Sequence, residues 1–563
     1  MNLEQQVCLS AEGARAGKLG VALSGGGFRA ALFHIGVLAR LAERDLLRHV
    51  SVISTVSGGA IIGAFYYLKV RQLLEGTRED ALKPSPEAYR QLVREVEEEF
   101  IAALQVNMRI MAFADRRQNA RMLASEYSSS YRLADLFDTY FFKPITGADR
   151  NPLRDLPIQA SGEDGTVVPT LVLNATALNT GHLFQMTGTF VGEPTVSSVV
   201  GGTSTMPLLS RLFMDDPSLS PGQRTRLNQI TLGQAVAASC CVPGLFEPFS
   251  LTGLYTDKRG EDVEVRLVDG GVFDNQGLVS LFEEGCTHFV CSDASDLLQW
   301  QSRPVELIHQ VAMRANDIMM DRIRNETLAE LPEHGPDRYA IFTLGDDDGS
   351  AVFGEDKARF LDALRNIRTD LDAFTDLEAR SLMYHGFKLS GSHLGDTAPV
   401  PAESIEAEGD SGRWTFLSIE ALAGNPVERA RLLRYLDVGS RQFMKVFYLG
   451  KALPWVILIV PTLIPVGFSV LLIYLLPPIP TAAWVVLGLL VLTAVAFVQN
   501  ARIIEWLDQI DWIRELRRKL AIALKPVGVT MMLAMIGALA GWINLRIFNP
   551  LFLHYGRLRG GRK

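Results

Sequence analysis

Apolar positions in the first 350 residues fall into short continuous runs, each followed by a stretch with helical spacing. Leu19–Ser24 (LGVALS) and Val50–Ser54 (VSVIS) have strand length, whereas Arg29–Leu46 and Gly59–Leu74 repeat apolar residues every three or four positions. The same pattern predicts strands over Thr170–Asn174, Glu264–Val268, His288–Ser292 and Tyr339–Thr343. It predicts helices over Pro86–Ala112, Leu232–Ser239, Val305–Leu331 and Asp356–Leu371. Strands that are apolar throughout are buried on both faces. Their alternation with helices therefore implies the α/β class, with a mostly parallel central sheet between helical layers.

The pattern changes near residue 451. From Ala452 to Ala501 there is no Asp, Glu, Lys or Arg. Leu453–Leu476 and Thr481–Val498, separated by Pro477-Pro478-Ile479-Pro480, are each about long enough to cross a hydrocarbon layer of ~30 Å as a helix. Trp455, Tyr474 and Trp484 stand near their ends, where amphipathic rings favour the headgroup layer. A third apolar segment, Val527–Leu545, follows a mixed-charge stretch over Arg502–Lys525 and is either a span or an interfacial segment. The expected organisation is an N-terminal extension (1–17), a catalytic domain with helical inserts (18–390), a linker with an amphipathic helix (391–450), and a membrane region (451–563) of two to three helices.

Charge sharpens this division. The chain has 55 basic and 63 acidic side chains, a net charge of −8; residues 451–563 carry +8 and residues 1–450 carry −16. A body this acidic excludes nucleic acid as the main partner, because phosphate binding needs clustered Lys and Arg. Basic residues before the first apolar run, after the second and in the tail favour the cytoplasmic side for all three. The N-terminus has no apolar core of signal-peptide length. The expectation is an integral membrane protein with its catalytic domain facing the cytoplasm and the lipid bilayer as its partner; the sequence identifies no protein partner. Five cysteines, two of them adjacent (Cys240, Cys241), suit reduced buried thiols rather than a disulfide framework.

Three motifs carry candidate chemistry. The first strand ends in Ser24-Gly25-Gly26-Gly27-Phe28-Arg29, ahead of a helix. Three glycines allow a sharp turn that aims successive N–H groups into one cavity, suited to a nucleotide phosphate or to the oxyanion of acyl transfer. A dinucleotide site calls for an acidic residue at the end of the second strand. Ser54-Thr55-Val56-Ser57 stands there instead, which favours the oxyanion. That strand continues as Thr55-Val56-Ser57-Gly58-Gly59 into a helix, the context of a nucleophile elbow, with Thr55 where a glycine is usual. None of the nine histidines lies in a distinctive motif or metal-binding spacing, and His34 reads as structural. The candidate base is Asp269, in Leu267-Val268-Asp269-Gly270-Gly271, where the alternative is a solvated turn aspartate. Asp274 and Asn275 read as braces of that turn, and Asp346-Asp347-Asp348 as a solvated loop without calcium-site spacing. No metal or other cofactor is expected.

Together these motifs resemble the patatin-like phospholipase family, whose pattern is G-G-G-x-R, G-x-S-x-G and D-G-[GA] in that order. They stand here as Gly25-Gly26-Gly27-Phe28-Arg29, Thr55-Val56-Ser57-Gly58-Gly59 and Asp269-Gly270-Gly271. Ala238-Ser239-Cys240-Cys241-Val242-Pro243-Gly244-Leu245-Phe246 is similar to the family's A-S-x-x-x-P-x-x-F segment. The resemblance covers roughly residues 18–295 and implies a three-layer sandwich with a Ser57–Asp269 dyad. It further implies an oxyanion hole from Gly25, Gly26 and Gly27, with Gly58, Gly59, Gly270 and Gly271 supporting the turns. Arg29 either fixes the glycine loop, meets an anionic headgroup, or is an ordinary surface arginine. The activity implied is a membrane-anchored serine hydrolase of lipid acyl esters, of phospholipase A or lysophospholipase type; the alternatives are a catalytically weak scaffold or a transacylase. Inserts over about 86–142 and 197–226 would cover the site as lids or lipid-facing surfaces.

Overall fold

The computed structural model describes residues 9–558, apart from 10, 115–126, 160–165, 195–208, 296–297, 299, 303, 305–307, 349–350, 395–413, 442–444, 449–540 and 543. The elements that frame the site run in the order β1 (Leu19–Leu23), α1 (Gly27–Glu43), β2 (Val50–Val56), α2 (Gly58–Leu74), α3 (Pro86–Ala103), α4 (Ser129–Phe137), β3 (Thr170–Ala177), β4 (Leu183–Met186), β5 (Phe190–Gly192) and β6 (Leu212–Phe213). They continue as α5 (Leu232–Ser239), β7 (Phe249–Thr256), β8 (Asp262–Asp269), α6 (Leu278–Glu283), β9 (His288–Asp293), α7 (Ile308–Leu328), β10 (Tyr339–Thr343), α8 (Asp376–His393) and α9 (Pro426–Gly439).

All ten strands join one sheet in the order β10-β9-β1-β2-β3-β4-β5-β6, with β8 on β3 and β7 on β8. The first five strands of that order are parallel, and the β3–β4, β3–β8, β4–β5, β5–β6 and β7–β8 pairs are antiparallel. The apolar runs are strands because both faces are covered. Val21, Leu23 and Ile53 enter the large core, whereas Ala22 and Val52 point to the opposite face with Leu278 and Leu281 of α6. On the large-core side α1 is buried along most of its length, between the sheet and α8. The α/β expectation holds.

Several boundaries differ from the expected ones, for local reasons. The helix expected over Pro86–Ala112 ends at Ala103 and resumes over Met108–Ala114. Its first part is core rather than lid. Ser85 caps it by accepting from Ala88 N–H at 3.1 Å, and Leu92, Val93, Val96 and Phe100 are fully buried, with Phe100 edge-on to Phe65. β4, β5, β6, β7 and α8 are additional to the expected elements. The short antiparallel strands lack long apolar runs, and α8 mixes buried Ser381, His385 and Ser390 into its apolar face.

The compact unit that holds the sheet comprises residues 1–442 and 552–563; residues 443–551 form a second unit. The tail therefore belongs to the first unit, where Phe552 is buried and Gly556 O accepts from Leu377 N–H at 3.3 Å. No helix among the described residues is long and apolar enough to cross a membrane. The expected spans at 453–476 and 481–498, and 527–540 of the third segment, lie outside the described residues.

A buried strap over residues 365–378 closes the unit beside the N-terminus of α1. Arg368, fully buried, bonds Asp372 Oδ2 (3.0 Å), Glu378 Oε1 (2.5 Å), and the carbonyls of Ala373 (2.6 Å) and Gly439 (2.9 Å). Glu378 completes a capping box with Thr375 at the start of α8. Removing one partner from such a cluster strands the others without counter-charge. Arg368→Met is expected to lower unfolding free energy by about 3–5 kcal/mol, read from urea denaturation of the full chain.

Candidate active site

Ser57 sits between β2 and α2 with φ 50° and ψ −117°, one of three described non-glycine residues with positive φ. Holding an L-residue there costs roughly 1–3 kcal/mol and turns its side chain out of the strand direction. Thr55, where a glycine is usual, does not open the elbow. Its Oγ1 donates to Val172 O at 2.9 Å, and its methyl group occupies the space beside Gly63 of α2, where any Cβ would overlap it.

Asp269 reaches Ser57 by a route the sequence did not indicate. β2 pairs with β3 over Thr170–Asn174, where its last residue, Val56, meets Asn174. β8 runs antiparallel to β3 over Ala175–Ala177, and its last residue, Asp269, meets Ala175. β4 already occupies the other edge of β3 at Ala175 and Thr176, so β2 and β8 share one edge and abut end to end. The expected strand thus delivers the carboxylate to the carboxyl edge of the parallel sheet, but from the opposite direction.

The Asp269 carboxylate lies within hydrogen-bonding reach of the Ser57 hydroxyl and accepts Gly271 N–H at 2.8 Å. Burial pushes the Asp269 carboxyl up to about 6, and the neighbouring Ser57 hydroxyl and Gly271 N–H pull it back toward the anion. At neutral pH it is a carboxylate beside the Ser57 hydroxyl. Gly270 and Gly271 leave no room for side chains: a Cβ on Gly270 would overlap Asn174 O, and one on Gly271 would stand 2.6 Å from Asn275 Oδ1. Asp274 braces the turn, accepting from the N–H groups of Gln276, Gly277 and Val279 at 3.1, 3.1 and 2.8 Å.

The glycine loop lies against the elbow. A Cβ on Gly25 would come 3.4 Å from Ser57 Cβ, and one on Gly58 would overlap Gly27 O. Gly26 and Gly27 have φ 135° and 60°, the turn that three glycines permit. Of the expected oxyanion donors, Gly25 N–H is already committed to Asn275 O at 3.0 Å. The N–H groups of Gly26, Gly27 and Gly58 have no acceptor among the described residues. They stand at the N-termini of α1 and α2, whose dipoles both favour negative charge there.

Arg29 is buried, not at the surface. It donates to the carbonyls of Ala294 (3.0 Å), Arg365 (3.0 Å) and Ile367 (3.1 Å), which ties the start of α1 to the sheet edge and to the strap. Gly27 lies directly under Asp370 O, and Phe28 N–H donates to the same oxygen at 3.1 Å. Arg29 thus fixes the loop. His34 is structural: its ring nitrogens bond Ser292 Oγ (2.6 Å) and Ser24 O (3.0 Å), and burial lowers its pKa to about 4, so it is neutral.

The site includes residues that were not singled out for chemistry. The Cys240 thiol is within hydrogen-bonding reach of the Ser57 hydroxyl, and burial followed by the Asp269 charge keeps it protonated. Ser239 Oγ accepts Ser57 N–H at 2.9 Å. Asn174 donates to Ser54 Oγ and Thr55 O at 2.9 and 3.0 Å. Their sequence signal was the A-S-x-x-x-P segment for the first two; Asn174 had none.

Among solved structures, the chain is similar to human GIVD cytosolic phospholipase A2 at 14% identity and a TM-score of 0.37, over 69% of this chain and 64% of that one. It is also similar to VipD from Legionella pneumophila at 13% identity and a TM-score of 0.29, over 94% and 92%. The chain thus spans less than two thirds of the human enzyme, and both likenesses are too distant to inform the chemistry. No curated protein sequence matches it. Residues 21–281 match the family model described as patatin-like phospholipase, in line with the resemblance carried by the three motifs.

Proposed function

We propose that the chain is a serine hydrolase of lipid acyl esters. The observation that carries the reading is a buried carboxylate beside a serine hydroxyl at a positive-φ elbow. In the proposed reaction Ser57 Oγ attacks the ester carbonyl carbon while its proton passes to Asp269. The carbonyl oxygen, now negative, is held by N–H groups of Gly26, Gly27 and Gly58. Collapse expels the alcohol, which recovers the proton from Asp269, and leaves an acyl group on Ser57. Water, deprotonated by Asp269, then attacks the acyl-enzyme and releases the fatty acid. Loss of one oxyanion donor costs ~3 kcal/mol in comparable sites.

The apolar runs at 453–476 and 481–498 are proposed to hold the catalytic unit at a bilayer. Anchoring raises the effective concentration of a substrate that is scarce as a monomer in water. The full-length protein is expected to stay with the bilayer fraction through alkaline carbonate extraction, and release into the supernatant counts against the anchor.

The full chain is expected to react with a fluorophosphonate probe and to release fatty acid from phospholipid vesicles. Ser57→Ala should abolish both, and Asp269→Asn should slow them by about 10³-fold or more. Folded protein that stays unlabelled overturns the hydrolase reading in favour of a scaffold. Because Asp269 works as the anion and its carboxyl titrates at about 6, kcat/KM should be flat above pH 7. Below about pH 6 it should fall tenfold per unit. Asp274 also titrates at about 6 but spends its oxygens on backbone N–H groups, so Asp274→Asn is expected to keep the wild-type profile.

A further inference from the structure

Ser57 is held by its backbone as well as by its side chain. Its N–H donates to Ser239 Oγ at 2.9 Å, and the Ser239 hydroxyl donates its own proton to Asn174 O at 2.6 Å. With that proton committed, the hydroxyl presents only lone pairs to Ser57, which fixes its direction. The backbone carbonyls of Ser239 and Cys241 complete the clamp. Asp269 N–H donates to Cys241 O at 2.9 Å, and Gly270 N–H donates to Ser239 O at 3.4 Å. The C-terminal end of α5 therefore touches the nucleophile through a side chain and the base through the backbone.

The Asn174 anchor is itself immobilised. Its side chain donates to Ser54 Oγ and Thr55 O on β2 and accepts from Ser280 Oγ at 2.6 Å. Gln185 Nε2 donates to Ser280 Oγ, and Arg211 donates to Gln185 Oε1, both at 2.6 Å. Every side chain in this row from Ser239 to Gln185 is fully buried. A buried network in which each member is satisfied is rigid.

We infer that Ser239 is a positioning residue for the reaction: its hydroxyl holds Ser57 N–H and so keeps the strained elbow in register with Asp269. The inference rests on the dyad proposed above. It further implies that Ser57 N–H is unavailable to the oxyanion, so the hole is formed by the glycine amides alone.

The test uses the isosteric pair Ser239→Thr and Ser239→Val, with Ser239→Ala alongside, in the full-length protein. Thr and Val fill the same volume and differ in the hydroxyl. Saturable fluorophosphonate labelling gives the limiting rate and half-saturation separately, and vesicle hydrolysis gives kcat and KM. Val and Ala are expected to lower the limiting rate and kcat by 30- to 1,000-fold, with half-saturation and KM within threefold of wild type. Thr is expected to recover to within tenfold. Equal limiting rates for Thr and Val, whatever their melting temperatures, overturn the assignment, because a volume or stability role would not separate them. If wild type is not labelled at Ser57, the dyad itself fails. If wild type is labelled and Val reacts as fast, only the role of Ser239 fails.

Discussion

Two strands that meet end to end on one edge of β3 set the geometry on which the site depends. β2 stops where β8 arrives, at Asn174 and Ala175, so residues more than 200 positions apart in sequence come within hydrogen-bonding reach. Neither strand could extend further without displacing the other. The chain must therefore leave the sheet at both ends, and each exit is a tight turn into a helix: Ser57 into α2, and Asp269 through Gly270 into the helical turn over Gly271–Asp274. The juxtaposition of Ser57 and Asp269 follows from competition for one row of backbone partners.

Electrostatics then works in two directions over a short distance. Burial raises the carboxyl of Asp269 toward neutrality, which makes it a better proton acceptor than an exposed aspartate. The N-termini of α1 and α2 lie against each other with donors that have no acceptor among the described residues, and they favour negative charge beside Ser57. Rigidity comes from groups with no part in the chemistry. Arg29 spends its donors on three carbonyls, and Arg368 and Glu378 fix the strap above Gly27.

Much of this was legible in the sequence. The parallel strands were visible as continuous apolar runs because burial on both faces leaves no polar positions, and Gly25–Gly27, Ser57 and Asp269 stood at strand ends where turns need small residues. β4, β5, β6 and β7 were not visible, being short or half exposed. The direction of β8 could not be read from periodicity, which is the same for either orientation. The sequence left the role of Arg29 open and gave Arg368 no signal, because composition does not reveal which carbonyls surround a guanidinium. Asn174, at the end of an apolar run, gave no sign of holding β2, α5 and α6 together.

The pairing of Thr55 with Gly63 bears on how such a site drifts over evolutionary time. The space normally left by a glycine before the serine has moved two turns into the following helix, so the two positions share one allotment of volume. A methyl gained at one must be matched by a hydrogen at the other. Lineages that kept the elbow closed would carry glycine at either place but not bulk at both, and a signature that inspects only the five residues around the nucleophile would pass over chains of this kind.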